Sequence, residues 1–202
     1  MSVWLVVGLG NPGPTYASTR HNVGFMTCDE LGKRAGASFS TPRGMRAEAL
    51  ETRVTASGIG GVGGDADRVV LLKPLTFMND SGNSVGPLTR YFKVPLGNLL
   101  VMHDDLDLPL GSVRLRPQGG SSGQRGMASI INRLGTQEFP RMRLGIGRPP
   151  GQMDPVDYVL QPFQAQEVEL KKMVLDQAAD AAETFIRAGI EAAMNKYNGE
   201  VG

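Results

Sequence analysis

Apolar residues along the chain form short runs and helical stripes that alternate with polar segments. The run 3–7 ends in Gly8 and predicts a buried strand. Further strands are predicted over 45–55, 68–72, 99–103, 112–116 and 141–147, and helices over 23 to about 35, 81 to about 92, a stretch ending near 134, and 165–190. In the last helix the apolar residues recur every three or four positions: Leu170, Val174, Ala178, Ala181, Phe185 and Ile186. This alternation predicts a single-domain, three-layer α/β/α fold with a mixed, largely parallel central sheet spanning 1–202.

Polar segments join these elements and supply the expected helix caps. The segment 11–22 has two prolines and no apolar periodicity, so it is predicted to be a loop. Asn22 is expected to cap the first helix, and Asn79 or Asp80 the second. The connector 56–67 is expected at a hairpin tip, because its glycines are too loosely placed to form a site.

Composition is typical of a globular protein, with 41% hydrophobic and 20% charged residues. The lone cysteine, Cys28, excludes an internal disulfide and is expected to be a small buried residue. No apolar run approaches the roughly 18 residues that a membrane span needs. The first strand begins within three residues of Met1, which leaves no room for a targeting peptide and predicts a cytoplasmic protein. A chloroplast or mitochondrial protein whose transit peptide had been removed would have the same sequence.

Charge is unevenly distributed, although the net charge is only +1. Residues 111–150 contain seven arginines and a single acid, Glu138, a local balance of +6, whereas residues 151–202 have a balance of −5. Seven arginines beside glycine-rich loops are typical of a protein that binds a phosphate-bearing partner. A solvated surface that is merely basic remains the alternative.

The first loop carries a glycine pattern that imitates a dinucleotide site. Gly8, Gly10 and Gly13 match GxGxxG directly after a strand. That fingerprint requires a helix to begin within the glycines, and the proline-rich loop here prevents one. The acids some twenty residues on, Asp29 and Glu30, also fall inside a helix rather than at a strand end. We therefore predict no nucleotide cofactor, and since no cluster has zinc or calcium spacing, no metal.

Two strand ends carry side chains suited to acid–base chemistry. His21 lies in the loop that leaves the first strand, and an imidazole titrates near neutrality as a general base must. A surface or capping histidine is the alternative. Asp104 follows the strand 99–103 at the same predicted sheet edge, where its carboxylate can fix the imidazole tautomer. Asp105 and Asp107 are expected to be solvated or turn-forming.

Amides and a glycine loop complete the candidate site. Asn11, held between Gly10 and Pro12, can offer hydrogen bonds to a carbonyl group. Asn79 fits either a helix cap or a site residue. The loop 119–126 precedes a helix and contains Arg125, so its amides can hold an anion, or the loop is mobile and empty.

Taken together, these segments resemble the bacterial-type peptidyl-tRNA hydrolases. The matching pieces are GLGNPGPTYASTRHNVG (8–24), KPLTFMNDSG (73–82), HDDLDLPLG (103–111), GGSSGQRG (119–126) and RLGIGRPPG (143–151), in family order and spacing. The resemblance implies a monomer that cleaves the ester between peptide and tRNA without metal or cofactor.

The resemblance also assigns roles by motif. It implies that His21 activates water, that Asp104 holds His21 in its basic form, and that Asn11 contacts the peptide part and distinguishes peptidyl-tRNA from aminoacyl-tRNA. Substrate contacts are implied for Tyr16, Phe77, Met78 and Asn79, and positive charge for the tRNA acceptor arm for Arg114, Arg116, Arg141 and Arg143.

One departure and one alternative remain. The family's glycine loop usually continues with His-Asn, whereas this chain has Gln124-Arg125. Arg125 cannot accept a hydrogen bond but can pair with RNA phosphate, so we expect weakened substrate handling with the chemistry retained. The stretch GRPPGQMDP is similar to plant-type members, some of which act as RNA-binding splicing subunits. Such an adaptor has no need of Asn11, His21, Asn79 and Asp104, all of which this sequence keeps.

Overall fold

Eight strands form one mixed sheet in residues 2–200, the part of the chain that the computed structural model describes. The strands are Val3–Gly8 (β1), Ala47–Thr55 (β2), Gly58–Ile59 (β3), Asp67–Pro74 (β4), Leu99–Asp105 (β5), Ser112–Arg116 (β6), Arg141–Gly145 (β7) and Gly199–Glu200 (β8). Their order is β3-β2-β4-β1-β5-β7-β6-β8. The sheet is mixed, as predicted.

Parallel pairing is concentrated in the four central strands. β1 pairs in parallel with both β4 and β5, and β5 pairs in parallel with β7. The outer pairs, β3-β2, β2-β4, β7-β6 and β6-β8, are antiparallel. The carboxyl ends of β1, β4, β5 and β7 therefore meet at one edge of the sheet, where the loops that follow them can build a site.

Helices cover both faces of this sheet. They are Val23–Arg34 (α1), Gly82–Tyr91 (α2), Arg125–Leu134 (α3), Pro155–Val159 (α4), Val168–Ala188 (α5) and Ile190–Tyr197 (α6). Side chains of β1 alternate between two fully buried cores: Leu5 and Val7 pack toward α2 and α3, and Val6 packs toward α1 and α5. The three-layer α/β/α prediction is confirmed.

The glycines of the first loop serve close packing of α1 on β1. A Cβ atom on Gly8 would lie 2.1 Å from the carbonyl oxygen of Gly24, and one on Gly24 would lie 2.5 Å from the backbone nitrogen of Leu9. Only glycine permits this approach of helix to strand. α1 begins at Val23, well beyond Gly13, so the GxGxxG pattern does not lead into a helix.

The predicted N-cap position was right for α1 and wrong for α2. Asn22 occupies the N-cap position of α1 without capping it, because its side chain bonds the backbone of Asn11. Asn79 and Asp80 do not cap α2; they lie in the 3₁₀ turn Met78–Asp80, and Ser81 stands at the N-cap. At Asn22 a polar side chain that suits a cap bonds the loop instead.

The chain's last elements were only partly predicted. The long helix runs over Val168–Ala188, close to the predicted 165–190, and Gly189 ends it with a positive φ of 88°. α6 and β8 were not predicted, since a helix of 8 residues and a strand of 2 carry too little periodicity. The connector 56–67 does form a hairpin, through β2 and β3. Within residues 2–200 no helix is both long and apolar enough to cross a membrane.

Candidate active site

A histidine and a buried carboxylate meet at the carboxyl edge of the sheet. His21 lies in the 3₁₀ turn Arg20–Asn22 between β1 and α1, and Asp104 near the end of β5. Nδ1 of His21 is 2.8 Å from Oδ2 of Asp104. A carboxylate only accepts, so Nδ1 carries the proton and Nε2 is left as the basic nitrogen. The His21 side chain is 14% exposed and that of Asp104 is 4% exposed, so the pair is largely shielded from water.

Gln124 holds the other oxygen of Asp104, a contact that the sequence did not predict. Its Nε2 donates to Oδ1 of Asp104 at 3.1 Å, and its Oε1 accepts from the backbone nitrogen of Met127 at 2.7 Å as the N-cap of α3. The position of Gln124 just before the predicted helix that ends near 134 was the one sequence feature that indicated a capping role. The amide is buried and fixes the carboxylate from the side away from His21.

Asn11 is fixed by three hydrogen bonds that orient its amide. Its backbone nitrogen and carbonyl bond the side chain of Asn22, each at 2.9 Å, and its Oδ1 accepts from the backbone nitrogen of Met78 at 2.7 Å. The bond to Met78 fixes which way the side-chain amide points. Its Nδ2, which has no hydrogen-bond partner among residues 2–200, is the donor that Asn11 brings to the pocket.

These side chains line one pocket of about 580 Å³. Phe77, Met78 and Asn79 line it as predicted, and Phe77 is 57% exposed. Tyr16 does not line the pocket; its ring supports Phe77 edge-on, with the ring centroids 6.3 Å apart. Arg125 lies at the rim, exposed, at the start of α3.

One part of the pocket lining is apolar and was not predicted. It is formed by α4 and the residue after it: Pro155, Val156, Val159 and Leu160. Val156 is 46% exposed and Leu160 is 39% exposed, so together they present apolar surface to the pocket. A helix of five residues gives almost no periodic signal in a sequence.

The other two acids of the β5 end differ from one another. Asp105 was expected to be solvated or turn-forming; it is buried, ion-paired to Arg143 at 2.7 Å, and bonded to the backbone nitrogen of Asp107 at 2.8 Å, which forms the turn. Asp107 is exposed and pairs with Arg148 at the mouth of the pocket. Arg148 was not predicted as a pocket residue.

The predicted arginines lie together on one sheet face. Val113 and Leu115 pack in the core toward α5, so the alternate residues Arg114 and Arg116 project from the other face and are exposed. In register beside them on β7 are Arg143 and Arg141. These side chains lie outside the lining of the pocket.

Arg141 is the exception among them, and its expected part in a basic surface was wrong. It is 2% exposed, and its guanidinium donates to the carbonyls of Phe139, Gly120 and Gln137, each at 3.0 Å. Burial, and then the nearby charge of Arg143, lower the pKa of Arg141 to about 10. It fixes the start of the glycine loop instead of facing solvent.

The two remaining reactive side chains are buried. Nδ1 of His103 donates to the carbonyl of Asp104 at 2.8 Å, and desolvation lowers the pKa of His103. Desolvation raises the pKa of the Cys28 thiol to about 12. Across residues 2–200, no three His, Cys, Asp or Glu side chains are arranged to hold a metal ion.

Comparison with known proteins gives one family. A family model described as Peptidyl-tRNA hydrolase matches residues 5–201. The proteins named Peptidyl-tRNA hydrolase from Mycobacteroides abscessus and Chloroflexus aggregans are 49% and 48% identical over 194 and 197 residues, covering 96% and 97% of this chain and 94% and 99% of theirs. A crystal structure of peptidyl-tRNA hydrolase from Acinetobacter baumannii superposes with a TM-score of 0.86 at 30% identity, covering 98% of this chain and 96% of that one. The chain belongs to the peptidyl-tRNA hydrolase family.

Proposed function

We propose that this protein hydrolyses the ester between peptide and tRNA in peptidyl-tRNA, with His21 as the base that activates water. The bond between His21 and Asp104 carries the proposal, because it leaves Nε2 of the imidazole unprotonated beside the pocket. A general base needs this arrangement of a free nitrogen and a fixed tautomer. The names of the relatives supply the substrate class.

The reaction follows from the positions of the donors. Nε2 of His21 takes a proton from water as the oxygen attacks the ester carbonyl, and the imidazolium that forms lies against Asp104. The tetrahedral intermediate then collapses, and the same proton passes from Nε2 to the leaving 3′ oxygen of the ribose. The products are the free peptide acid and deacylated tRNA.

Asn11 supplies the selection for a peptide. Its Oδ1 accepts from the backbone nitrogen of Met78, which orients the amide so that it presents Nδ2 as a donor. A peptide carbonyl next to the ester accepts such a bond. Aminoacyl-tRNA has an ammonium group there, which offers Nδ2 no acceptor, so this substrate lacks the hydrogen bond that a peptide carbonyl makes. Asn11 therefore favours the N-acylated substrate.

The exposed arginines provide charge for RNA phosphate. Arg114 and Arg116 have no ion-pair partner in the described residues, whereas Arg143 is shared with Asp105. Guanidinium groups form bidentate hydrogen bonds with phosphate oxygens. We assign Arg114 and Arg116 the larger share of the contact with the acceptor arm, and Arg143 a smaller one.

The test is the release of deacylated tRNA from an N-acetylated aminoacyl-tRNA. We expect His21→Ala to lower kcat by about 10² to 10⁴ with little change in KM. Equal turnover by wild type and His21→Ala would overturn the proposal. The matched control is His103→Asn, which removes the protein's other imidazole outside the pocket.

The adaptor hypothesis finds no support in these comparisons, since the similar proteins are named as hydrolases. A monomeric state and a cytoplasmic location stay predictions. Sedimentation of the protein with and without tRNA tests the first of these.

A further inference from the structure

The residue before the histidine is a buried arginine. Arg20 is 2% exposed, although a guanidinium is normally left in water. Its guanidinium carbon lies 4.5 Å from the ring centre of Tyr158 and 5.3 Å from that of Phe163. A cation between two aromatic faces is well placed for cation–π contact. Both rings belong to the segment that begins with α4.

The rest of Arg20 holds the same segment. Nη2 is 2.7 Å from Oε2 of Glu167, Nη1 donates to the carbonyl of Pro162, and the backbone nitrogen donates to the carbonyl of Gln161 at 2.9 Å. Oε2 of Glu167 also accepts from the backbone nitrogen of Gln164 at 2.6 Å. Arg20 thus contacts residues along the whole of 158–167, through both its side chain and its backbone nitrogen.

The start of this segment forms the apolar wall of the pocket, and its inner side chains Tyr158, Val159 and Phe163 are buried in the core. α4 has five residues, far too few for a helix to be stable alone. Its inner side is tied by a hydrogen bond of 2.8 Å from the Tyr158 hydroxyl to the carbonyl of Ile146. Its outer side exposes Val156 and Leu160 to the pocket.

A buried ion pair is a poor way to gain stability, since apolar residues of similar volume stabilise a core as well or better. An arginine instead provides donors in a fixed planar geometry, which hold the carbonyl and the carboxylate that they bond in defined positions. Arg20 is bonded along the chain to His21 on one side and clamps the wall on the other. The position of the wall relative to the base is therefore set at Arg20.

We propose that Arg20 is a positioning residue that fixes the α4 wall, and that the wall grips a large apolar side chain of the peptide residue esterified to the tRNA. This inference rests on the proposed function and concerns specificity within it. Phe77, which also lines the pocket, adds a further apolar surface for such a side chain. Arg20 touches neither the ester nor the water.

The test compares Arg20→Met with wild type on two substrates, N-acetyl-Leu-tRNA and N-acetyl-Gly-tRNA. We expect KM for the leucyl substrate to rise about tenfold and KM for the glycyl substrate to change less than about twofold, since even one methylene group in an apolar pocket is worth about 10- to 200-fold in discrimination. The kcat values stay within about threefold, because His21 and Asp104 are unchanged. Arg20→Lys, which keeps the charge but loses the planar donors, should restore only part of the leucyl affinity.

Arg34→Gln is the matched control. Arg34 is a partly buried arginine that joins α1 to Asp180 and Glu183 of α5, at 2.6 and 3.1 Å, outside the pocket lining. It should lower the melting temperature without altering the leucyl-to-glycyl ratio of KM. A ratio unchanged in Arg20→Met, or altered equally in Arg34→Gln, would overturn the proposal.

Hydrogen exchange separates this inference from the proposed function. In Arg20→Met the backbone amides of 156–161 should exchange faster than in wild type, whereas Arg34→Gln leaves them unchanged. If wild type does not hydrolyse either substrate, the proposed function fails, while unchanged exchange in Arg20→Met refutes the positioning role on its own.

Discussion

Replacing Asp104 by asparagine separates the charge of the His21 partner from its shape. The Asp104 side chain is 4% exposed, and its carboxylate accepts from His21 and from Gln124, at 2.8 and 3.1 Å. An asparagine side chain is nearly the same size as that of aspartate, so the packing of β5 is kept. What changes is the interaction with the imidazolium that forms as His21 takes a proton.

The size of the effect follows from Coulomb's law. Two unit charges about 4 Å apart at an effective dielectric constant of about 20 attract by about 4 kcal/mol. Because 1.36 kcal/mol corresponds to a factor of ten in rate, losing this attraction lowers kcat by about 10³. Gln124 adds a second effect, since its Nε2 keeps the amide oxygen of D104N on its own side.

The amide nitrogen of D104N then faces Nδ1 of His21 and donates to it. This moves the imidazole proton to Nε2, the nitrogen beside the pocket, so the base is blocked as well as less stabilised. We therefore expect kcat to fall by at least about 10³ while KM changes less than about threefold.

The assay is release of deacylated tRNA under steady-state conditions over a range of substrate concentrations, with Asp29→Asn as the control. Asp29 is an exposed carboxylate paired with Lys73 at 2.7 Å, away from the pocket. If D104N keeps kcat within tenfold of wild type, the carboxylate does not hold the base, and the mechanism above is refuted.

Three further predictions concern buried and rim residues. Since burial raises the pKa of Cys28 to about 12, iodoacetamide at pH 8 should label the folded protein far more slowly than the urea-unfolded chain; equal rates would contradict its burial. Desolvation lowers the folded pKa of His103, so stability is full above the unfolded value of about 6.5 and is lost as pH falls below it; urea midpoints at pH 7.5 and 5.5 should differ less in His103→Asn than in wild type. If Arg125 pairs with a phosphate, Arg125→Asn should reduce the slope of log affinity for tRNA against log salt by about 0.7 to 0.9, and an unchanged slope excludes that contact.

Elements with strong periodicity were predictable from the sequence, and so was the meeting of His21 with Asp104. Both follow from a general rule: loops at the carboxyl ends of parallel strands share one edge of the sheet. The motifs around Asn11 and Asn79 added the pocket residues by resemblance. These parts depend on local sequence and on strand direction, which a single chain displays.

The parts that escaped prediction depend on contacts between distant segments. Asn22 has the composition of a cap, but its partner is the backbone of Asn11. Arg141 lies in a basic stretch, yet its guanidinium is buried and donates to backbone carbonyls in and near the glycine loop. The α4 wall has neither length nor periodicity, and Arg20, which holds it, is distinguished from an exposed arginine only by the aromatic rings brought over it. In each of these examples the role of the residue depends on its tertiary contacts and not on its residue type.

At Gln124-Arg125 the structure changes what the departure from the family's His-Asn pair means. From the sequence, the departure was an amide missing at 125. In the structure the amide stands one position earlier, buried, where its nitrogen serves Asp104 and its oxygen caps α3. One side chain can serve both partners because an amide carries its donor and its acceptor on the same carbon. The buried carboxylate of Asp104 thus has its hydrogen-bond donor without an asparagine in the loop. Position 125, at the rim of the pocket, is occupied by the cation of Arg125. Any weakness of this enzyme should therefore lie in how the rim receives the RNA, and not in how His21 is held.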